Sequence, residues 1–326
     1  MSGVLLEVKG LKKHFPVKGG LLKRVTGWVY ALNGVSFTLK EGDTLGLVGE
    51  SGCGKSTLGR TLMRLYEPTE GSIVFQGRDI AKLSNKELMP FRREMAMVFQ
   101  DPYASLNPRM TVSDVVSAPM RAHGVGTAVE RRDRVAELLE VVGLRAQAAT
   151  RYPHEFSGGQ RQRVGIARAL VLQPKLIIAD EPVSALDVSI RAQVVNLMMR
   201  LKEKFKLTYV FIAHDLSIVE YISTHVAVMY LGHVMEKASS KDLYASPKHP
   251  YTQALIAANP VPDPARRKER TILKGEIPSP MAPPAGCVFN TRCPLAEDRC
   301  RAEVPILRDV SKGGDEHLVA CHLVKE

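Results

Sequence analysis

A chain of 326 residues, 45% hydrophobic and 24% charged, can bury one large domain or two unequal ones, and this composition excludes disorder on a grand scale. No apolar run approaches the roughly 18 residues of a spanning helix, and Glu7, Lys9, Lys12 and Lys13 interrupt the opening segment; neither a membrane span nor a secretory leader is expected, and the chain is expected to stay in the cytoplasm. The formal net charge of +11 suits nucleic acid, an anionic membrane face or polyphosphate equally and selects none of them.

In chain order, Leu5 to Glu41 alternates in short stretches such as Val35, Phe37 and Leu39 between glycines at 19, 20, 27, 34 and 42, which predicts an antiparallel β region. Thr44 to Val48 is an apolar strand that enters a glycine-rich turn, and Leu58, Leu62 and Leu65 give Ser56 to Leu65 the spacing of a buried helix. Ile73 to Gln76 predicts a strand, Ser84 with Glu87 a capping box at a helix start, and Met95 to Phe99 the next strand. Between Thr111 and Ala148 the pattern is helical, with Val135, Leu138, Leu139 and Val142 on one face and Gly143 as C-terminal cap, which predicts a helical subdomain.

Further on, Leu176 to Ala179 and Thr208 to Ile212 read as strands flanking a long helix, Ser189 to Phe205, and Val226 to Leu231 turns at Gly232 into Val234 to Lys237. Strands alternating with helices predict a parallel sheet. Beyond Ala258, Pro260, Pro262, Pro264, Pro278, Pro280, Pro283 and Pro284 bracket a basic run, Arg266 to Arg270. The expected division is a domain over 1–258, a proline-rich linker over 259–284 and a small module over 285–326.

Gly49-Glu50-Ser51-Gly52-Cys53-Gly54-Lys55-Ser56, followed by Thr57, fits the pattern G-x-x-x-x-G-K-[ST] and lies between an apolar strand and a helix, the context that pattern requires. Glycines let backbone N–H groups curl around phosphates, Lys55 reaches the β- and γ-phosphates, and the Ser56 hydroxyl binds Mg²⁺. Cys53 occupies an unconstrained position and reads as a small loop residue. Leu176-Ile177-Ile178-Ala179-Asp180-Glu181 has the form of a Walker B strand: Asp180 emerges at the carboxyl end to hold the magnesium shell, and Glu181 can polarise the attacking water as general base.

Phe156-Ser157-Gly158-Gly159-Gln160-Arg161-Gln162-Arg163 resembles the signature sequence of ABC ATPases. Ser157 is a good N-cap and two glycines expose the helix start, so the segment reads as a second anion site with no strand beside it. The resemblance implies that this segment meets the γ-phosphate held by a facing subunit, in a head-to-tail dimer whose monomer is inactive. It further implies that Gln100 is the Q-loop residue touching Mg²⁺ and water, that Ser184-Ala185-Leu186-Asp187 is the D-loop with Asp187 at the dimer interface, and that His214 is the switch histidine holding the γ-phosphate and Glu181. For the aromatic under adenine, Phe15, Trp28 and Tyr30 compete; Phe15 best resembles the family's position, and core packing is an equal reading of each. The fold class expected is thus α/β, a RecA-like P-loop NTPase core with an antiparallel β subdomain and an α-helical signature subdomain at about 101–160.

Val98 to Arg109, which contains Gln100-Asp101-Pro102-Tyr103, and His249-Pro250-Tyr251-Thr252 resemble the oligopeptide/dipeptide permease ATPases. That resemblance implies ATP hydrolysis coupled to peptide import, with two transmembrane permease subunits, a second ATPase subunit and an extracytoplasmic binding protein as partners, at the cytoplasmic face of the inner membrane. Nickel or glycans are alternative cargoes within the family. A soluble ABC protein acting on nucleic acid or ribosomes is the rival, disfavoured by the single P-loop and the lack of a long coiled-coil insertion, so no nucleic acid is expected. In the tail, Cys287, Cys293, Cys300 and Cys321 supply enough thiolates for a cluster or for tetrahedral zinc, with His317 and His322 nearby; free or disulfide-linked cysteines are the remaining reading, and the resemblance implies a [4Fe-4S] cluster.

Overall fold

The computed structural model describes residues 3–20, 24–101, 105–258, 275–311 and 313–324. Pro102, Tyr103 and Ala104 of the peptide-permease motif, and residues 259–274 of the expected linker, lie outside them.

The chain opens with two long strands, β1 (Val4–Gly19) and β2 (Arg24–Lys40), then β3 (Thr44–Val48), α1 (Lys55–Leu62), β4 (Glu70–Phe75), β5 (Arg78–Asp79), α2 (Asn85–Glu94) and β6 (Met95–Val98). There follow α3 (Val112–Ala122), α4 (Ala128–Val141), α5 (Gly158–Leu170), β7 (Leu176–Asp180), α6 (Val188–Phe205) and β8 (Thr208–Ile212). The remainder is α7 (Leu216–Ile222), β9 (His225–Tyr230), β10 (His233–Ser239), α8 (Ser240–Ala245), α9 (Pro250–Ala258), α10 (Asp298–Ala302), β11 (Arg308–Asp309) and β12 (Leu318–Val319).

These elements group into two compact units. One comprises Met1–Gly3, Lys40–Asp43 and Leu83–Ala213; the other comprises Val4–Leu39, Thr44–Lys82 and His214–Glu326.

In the first unit, β7 is the middle of a parallel ladder, with Leu176 to Ala179 opposite Met95 to Val98 on one side and Leu176 to Asp180 opposite Thr208 to Ile212 on the other. Every residue of β7 and β8 is buried, which is why both read as unbroken apolar runs. The helices around this ladder start where the sequence puts caps. Ser84 and Glu87 form the expected reciprocal box at α2, Thr111 accepts from Asp114 N–H at α3, and Thr127 with Glu130 closes a second box at α4. The α4 apolar face expected at Val135, Leu138 and Leu139 is buried, and Gly143 follows with φ +78°.

In the second unit, an antiparallel sheet has the order β2-β1-β4-β5, with Leu6 opposite Phe75 and Val8 opposite Ile73. A second group of strands runs β3-β9-β10-β12-β11: β3 and β9 are parallel, and β10 pairs antiparallel with both β9 and β12. α1 is shorter than its leucine spacing predicts. Arg64 adopts a left-handed conformation (φ +52°) that ends the helix, and Leu65, expected on its buried face, is 51% exposed.

Candidate functional site

The phosphate-type loop occupies residues 49–54 of the second unit, between buried β3 and α1. Gly49, Gly52 and Gly54 all have positive φ, at +146°, +79° and +107°. A Cβ on Gly49 would lie 2.2 Å from the Met229 carbonyl oxygen, so only glycine lets the loop pass this close to β9. α1 starts at Lys55 with glycine at its N-cap and no side-chain cap, so no capping side chain stands between an anion and the helix start. The buried Lys55 ammonium curls over the loop, donating to the carbonyls of Gly49 at 2.7 Å and Glu50 at 3.0 Å, with Cys53 Sγ at 3.7 Å. Burial pushes the Cys53 thiol up, so it sits there as a neutral packing group. A backbone cradle, an uncapped helix start and an overlying ammonium form a donor set that fits a polyphosphate.

Two further residues grip this loop that the sequence did not single out individually. The Glu50 backbone N–H donates to the Tyr251 hydroxyl at 2.9 Å, and the Arg292 guanidinium donates to both Glu50 carboxylate oxygens, at 2.5 and 3.0 Å. The aromatic residues Tyr230, Tyr251 and Phe289 pack edge to face or tilted, with ring centroids 4.8 to 5.3 Å apart, and Arg292 lies over Tyr230. His249 accepts the Tyr251 backbone N–H at 3.0 Å, and the Lys248 and His249 backbone N–H groups donate to Glu236. His-Pro-Tyr-Thr therefore starts a helix and aims a tyrosine at the phosphate loop. Only the short motif itself could have flagged it; its partners lie far away in sequence.

In the first unit, Asp180 and Glu181 are buried at the carboxyl end of β7. Glu181 has φ +48°, an uncommon conformation for a non-glycine residue, and its backbone N–H donates to the Ile212 carbonyl at 3.0 Å. Gln100, just beyond β6, donates its amide N–H to Glu181 Oε2 at 2.7 Å. The sequence reading assigned Gln100 to magnesium and water and did not anticipate this bond.

Ser157 caps α5: its hydroxyl accepts the Gln160 N–H at 3.4 Å, and the Gln160 side chain accepts the Ser157 N–H at 3.0 Å. A Cβ on Gly159 would lie 2.4 Å from Ile190 Cγ2, and one on Gly158 3.5 Å from Leu186, so the two glycines admit the chain that leads into α6. Asp187 stands at the N-cap of α6 without capping it, exposed beside Val188, which is 79% exposed. His214 is exposed just after β8, and Asp215 caps α7 through the N–H groups of Ser217 and Ile218.

Of the adenine candidates, half-buried Phe15 meets Tyr66 edge to face at 5.3 Å and carries Lys13 over its ring at 4.8 Å. Tyr30 packs on His14 at 4.8 Å, and Trp28 is 43% exposed.

The chain belongs to the ABC transporter family. The model of that family, described as ABC transporter, matches residues 32–184, and a second, described as the oligopeptide/dipeptide transporter C-terminal region, matches residues 235–300. The "Oligopeptide transport ATP-binding protein AppF" of Bacillus subtilis (strain 168) is 56% identical over 322 residues, covering 98% of this chain and 97% of that protein. A dimeric post-hydrolysis structure of the ATP-binding cassette MJ0796 bound to ADP and Pi matches with TM-score 0.64 and 31% identity, over 72% of this chain and 99% of that one. CbiO1 of Clostridium perfringens, part of the ABC transporter complex cbiONQ, matches with TM-score 0.64 and 28% identity, over 74% of this chain and 91% of that one. The P-loop ABC ATPase fold expected from the motifs is the fold found, and the chain is an ABC-type ATPase.

The cluster expectation fares differently. All five cysteines are free thiols, and among the described residues no group of three or more His, Cys, Asp or Glu side chains is arranged to hold a metal ion. Cys287, Cys300 and Cys321 are buried, and burial raises the Cys287 thiol to about 11, reinforced by its three cysteine neighbours. His317 is engaged elsewhere, 2.7 Å from Glu236. The described residues thus give no support to the expected [4Fe-4S] cluster or to its zinc alternative.

Proposed function

We propose that the chain is the ATP-hydrolysing subunit of an importer that carries di- or oligopeptides across the cytoplasmic membrane. The observation that carries the reading is one chain holding both a polyphosphate cradle at Gly49–Ser56 and a C-terminal region matched by the oligopeptide/dipeptide transporter model. A relative named for oligopeptide transport, matched over nearly the full chain, supports the cargo class.

In this reading Gly49 to Thr57 hold the triphosphate through backbone N–H groups and Lys55, and Phe15 offers the face for adenine. Ser56, Gln100 and Asp180 would hold Mg²⁺, which supplies charge neutralisation at the β- and γ-phosphates. Gln100 suits this role because its N–H is committed to Glu181, leaving its amide oxygen to meet a cation. Glu181 takes the proton of the attacking water, held by Gln100 and by its strained backbone, and His214 supports the γ-phosphate. Ser157 to Gln160 offer the N-terminus of α5 to the γ-phosphate of a second ATPase subunit, and exposed Asp187 faces that partner.

Among the described residues no helix is long and apolar enough to cross a membrane, so passage of the cargo falls to two permease subunits. A peripheral position on the cytoplasmic face, and an extracytoplasmic binding protein that feeds the permeases, complete the reading, with residues 1–258 as motor and 285–326 as C-terminal module. Purification of the tagged chain from native membranes in mild detergent tests it. Two multi-span permeases are the expected companions; ribosomal proteins or nucleic acid without permeases would overturn the transport assignment and leave the ATPase chemistry standing.

A further inference from the structure

The phosphate loop carries a carboxylate of its own, Glu50, its second residue. An acidic side chain beside a polyanion is electrostatically adverse, worse still in a cradle of reduced dielectric. In this structure that carboxylate is not left to face the loop. Both its oxygens accept from Arg292, at 2.5 and 3.0 Å, in the two-pronged geometry that fixes a carboxylate in direction as well as in charge. The Arg292 side chain is 6% exposed and that of Glu50 25% exposed. Arg292 Nη1 also lies 3.5 Å from the Tyr230 hydroxyl, its guanidinium 5.8 Å from the Tyr230 ring, and these contacts together hold it above its ordinary range as a permanent cation. The backbone of the same loop residue is held independently, by the Tyr251 hydroxyl.

We propose that Arg292, contributed by the C-terminal region, is a positioning residue for nucleotide binding: it masks and turns aside the Glu50 carboxylate so that the P-loop presents net positive potential to the triphosphate. The inference rests on the ATP-site reading of Gly49–Ser56. It gives the C-terminal region a direct hold on nucleotide affinity, through an ion pair 242 residues apart in sequence that involves none of the cysteines. A perturbation of the Phe289–Cys293 segment, which hydrogen-bonds Arg292 N–H to the Phe289 carbonyl, would be felt at the phosphates through Arg292.

The test is calorimetric binding of adenylyl imidodiphosphate with Mg²⁺ to the full-length chain at about 50 and about 300 mM salt. Arg292→Gln is expected to weaken binding about tenfold at the lower salt, with a smaller loss at the higher because an unmasked carboxylate is screened. Adding Glu50→Gln to Arg292→Gln is expected to recover most of the affinity, since the charge that needed masking is gone. A residue that merely docked the C-terminal region would show neither the salt dependence nor the recovery. A double variant as weak as Arg292→Gln, or an Arg292→Gln variant that binds like the parent, overturns the proposal. Should Arg292→Gln not fold, as judged by its melting curve, Arg292→Lys carries the test: it keeps the positive charge and is expected to lose no more than about threefold, and a loss of tenfold or more in the folded protein overturns the masking role. If the unsubstituted chain does not bind the nucleotide at all, the ATP-site reading and this proposal fall together. Binding that is indifferent to Arg292 removes this proposal alone.

Discussion

Gln100 donates its amide N–H to Glu181 across 2.7 Å, so the residue just beyond β6 holds the carboxylate just beyond the adjacent parallel strand β7. The bond comes from the register: Val98 lies opposite Ala179 near the carboxyl ends of the two strands, and Gln100 and Glu181 each follow two residues later. A general base needs direction as well as charge, and Glu181 receives it from Gln100 on one side and from a φ of +48° on the other.

Glu181→Gln keeps the shape and removes the base. Hydrolysis is expected to fall at least a hundredfold while nucleotide binding persists and a dimer accumulates in gel filtration with ATP. Gln100→Ala, which releases the carboxylate and also removes the amide oxygen proposed to meet Mg²⁺, is expected to cost about tenfold or more in turnover. Turnover unchanged in Glu181→Gln would remove that residue from the base role.

Gly49→Ala tests the cradle. The new methyl group would meet the Met229 carbonyl oxygen at 2.2 Å, a backbone atom that no side-chain rotation relieves, at a φ of +146° that alanine rarely adopts. Nucleotide affinity is expected to drop at least tenfold in an equilibrium titration, with a lowered melting temperature. Parental affinity in a protein with parental stability would mean that the loop has another conformation.

The sequence displayed the buried strands and the helix starts because both are local. Leu176 to Ile178 are apolar since both faces of β7 are covered, and Ser84, Ser157 and Gly143 mark helix ends by their own hydrogen-bonding and φ requirements. Other features depend on distant residues. β1 and β2 run far longer than their glycine-punctuated sequence predicts, and β11 and β12, two residues each, form a ladder with β10 that no periodicity announces. Arg292 and Glu50 are unremarkable until they meet. The cysteine spacing located four thiols in one region, where Cys293, Cys300 and Cys321 all act on the Cys287 thiol, but among the described residues no group of three or more His, Cys, Asp or Glu side chains is arranged to hold a metal ion.

Gly159→Ala tests the signature helix. Its methyl group would stand 2.4 Å from Ile190 Cγ2, so α5 and α6 must part or Ile190 must leave its rotamer. An overpacked contact of this kind costs about 1–3 kcal/mol. The expected result is a lower melting temperature and reduced ATPase activity. Because the obstacle is one branch of one side chain, Gly159→Ala combined with Ile190→Ala is expected to regain most of the stability. If the double variant melts no higher than Gly159→Ala, the steric account is wrong.

Acid should loosen the His-Pro-Tyr-Thr segment through His249. Burial holds its ring down at about 4 against an ordinary 6.5, and the geometry agrees: Nδ1 accepts the Tyr251 N–H at 3.0 Å and so cannot carry a proton, while the ring's other nitrogen faces the Ala320 carbonyl. In the unfolded chain the ring titrates normally. Between pH 6.5 and 4 the unfolded state therefore binds more protons, so this contribution to stability is fully present above 6.5 and is lost as pH falls toward 4. The loss at pH 5 is of order 2 kcal/mol for this one group. His233, also held at about 4 by burial, adds to the slope in the same window, whereas Glu236, whose burial is outweighed by bonds from His317, Thr252, Lys248 and His249, keeps its carboxylate below the usual range and adds a loss only below about 4.5. Denaturant unfolding at pH 7.5, 6.5, 5.5 and 5.0 should show stability declining through this range. His249→Asn, which keeps a short acceptor for the Tyr251 N–H but cannot titrate, should flatten the decline; an equally steep acid limb in that variant would assign the proton uptake to other groups.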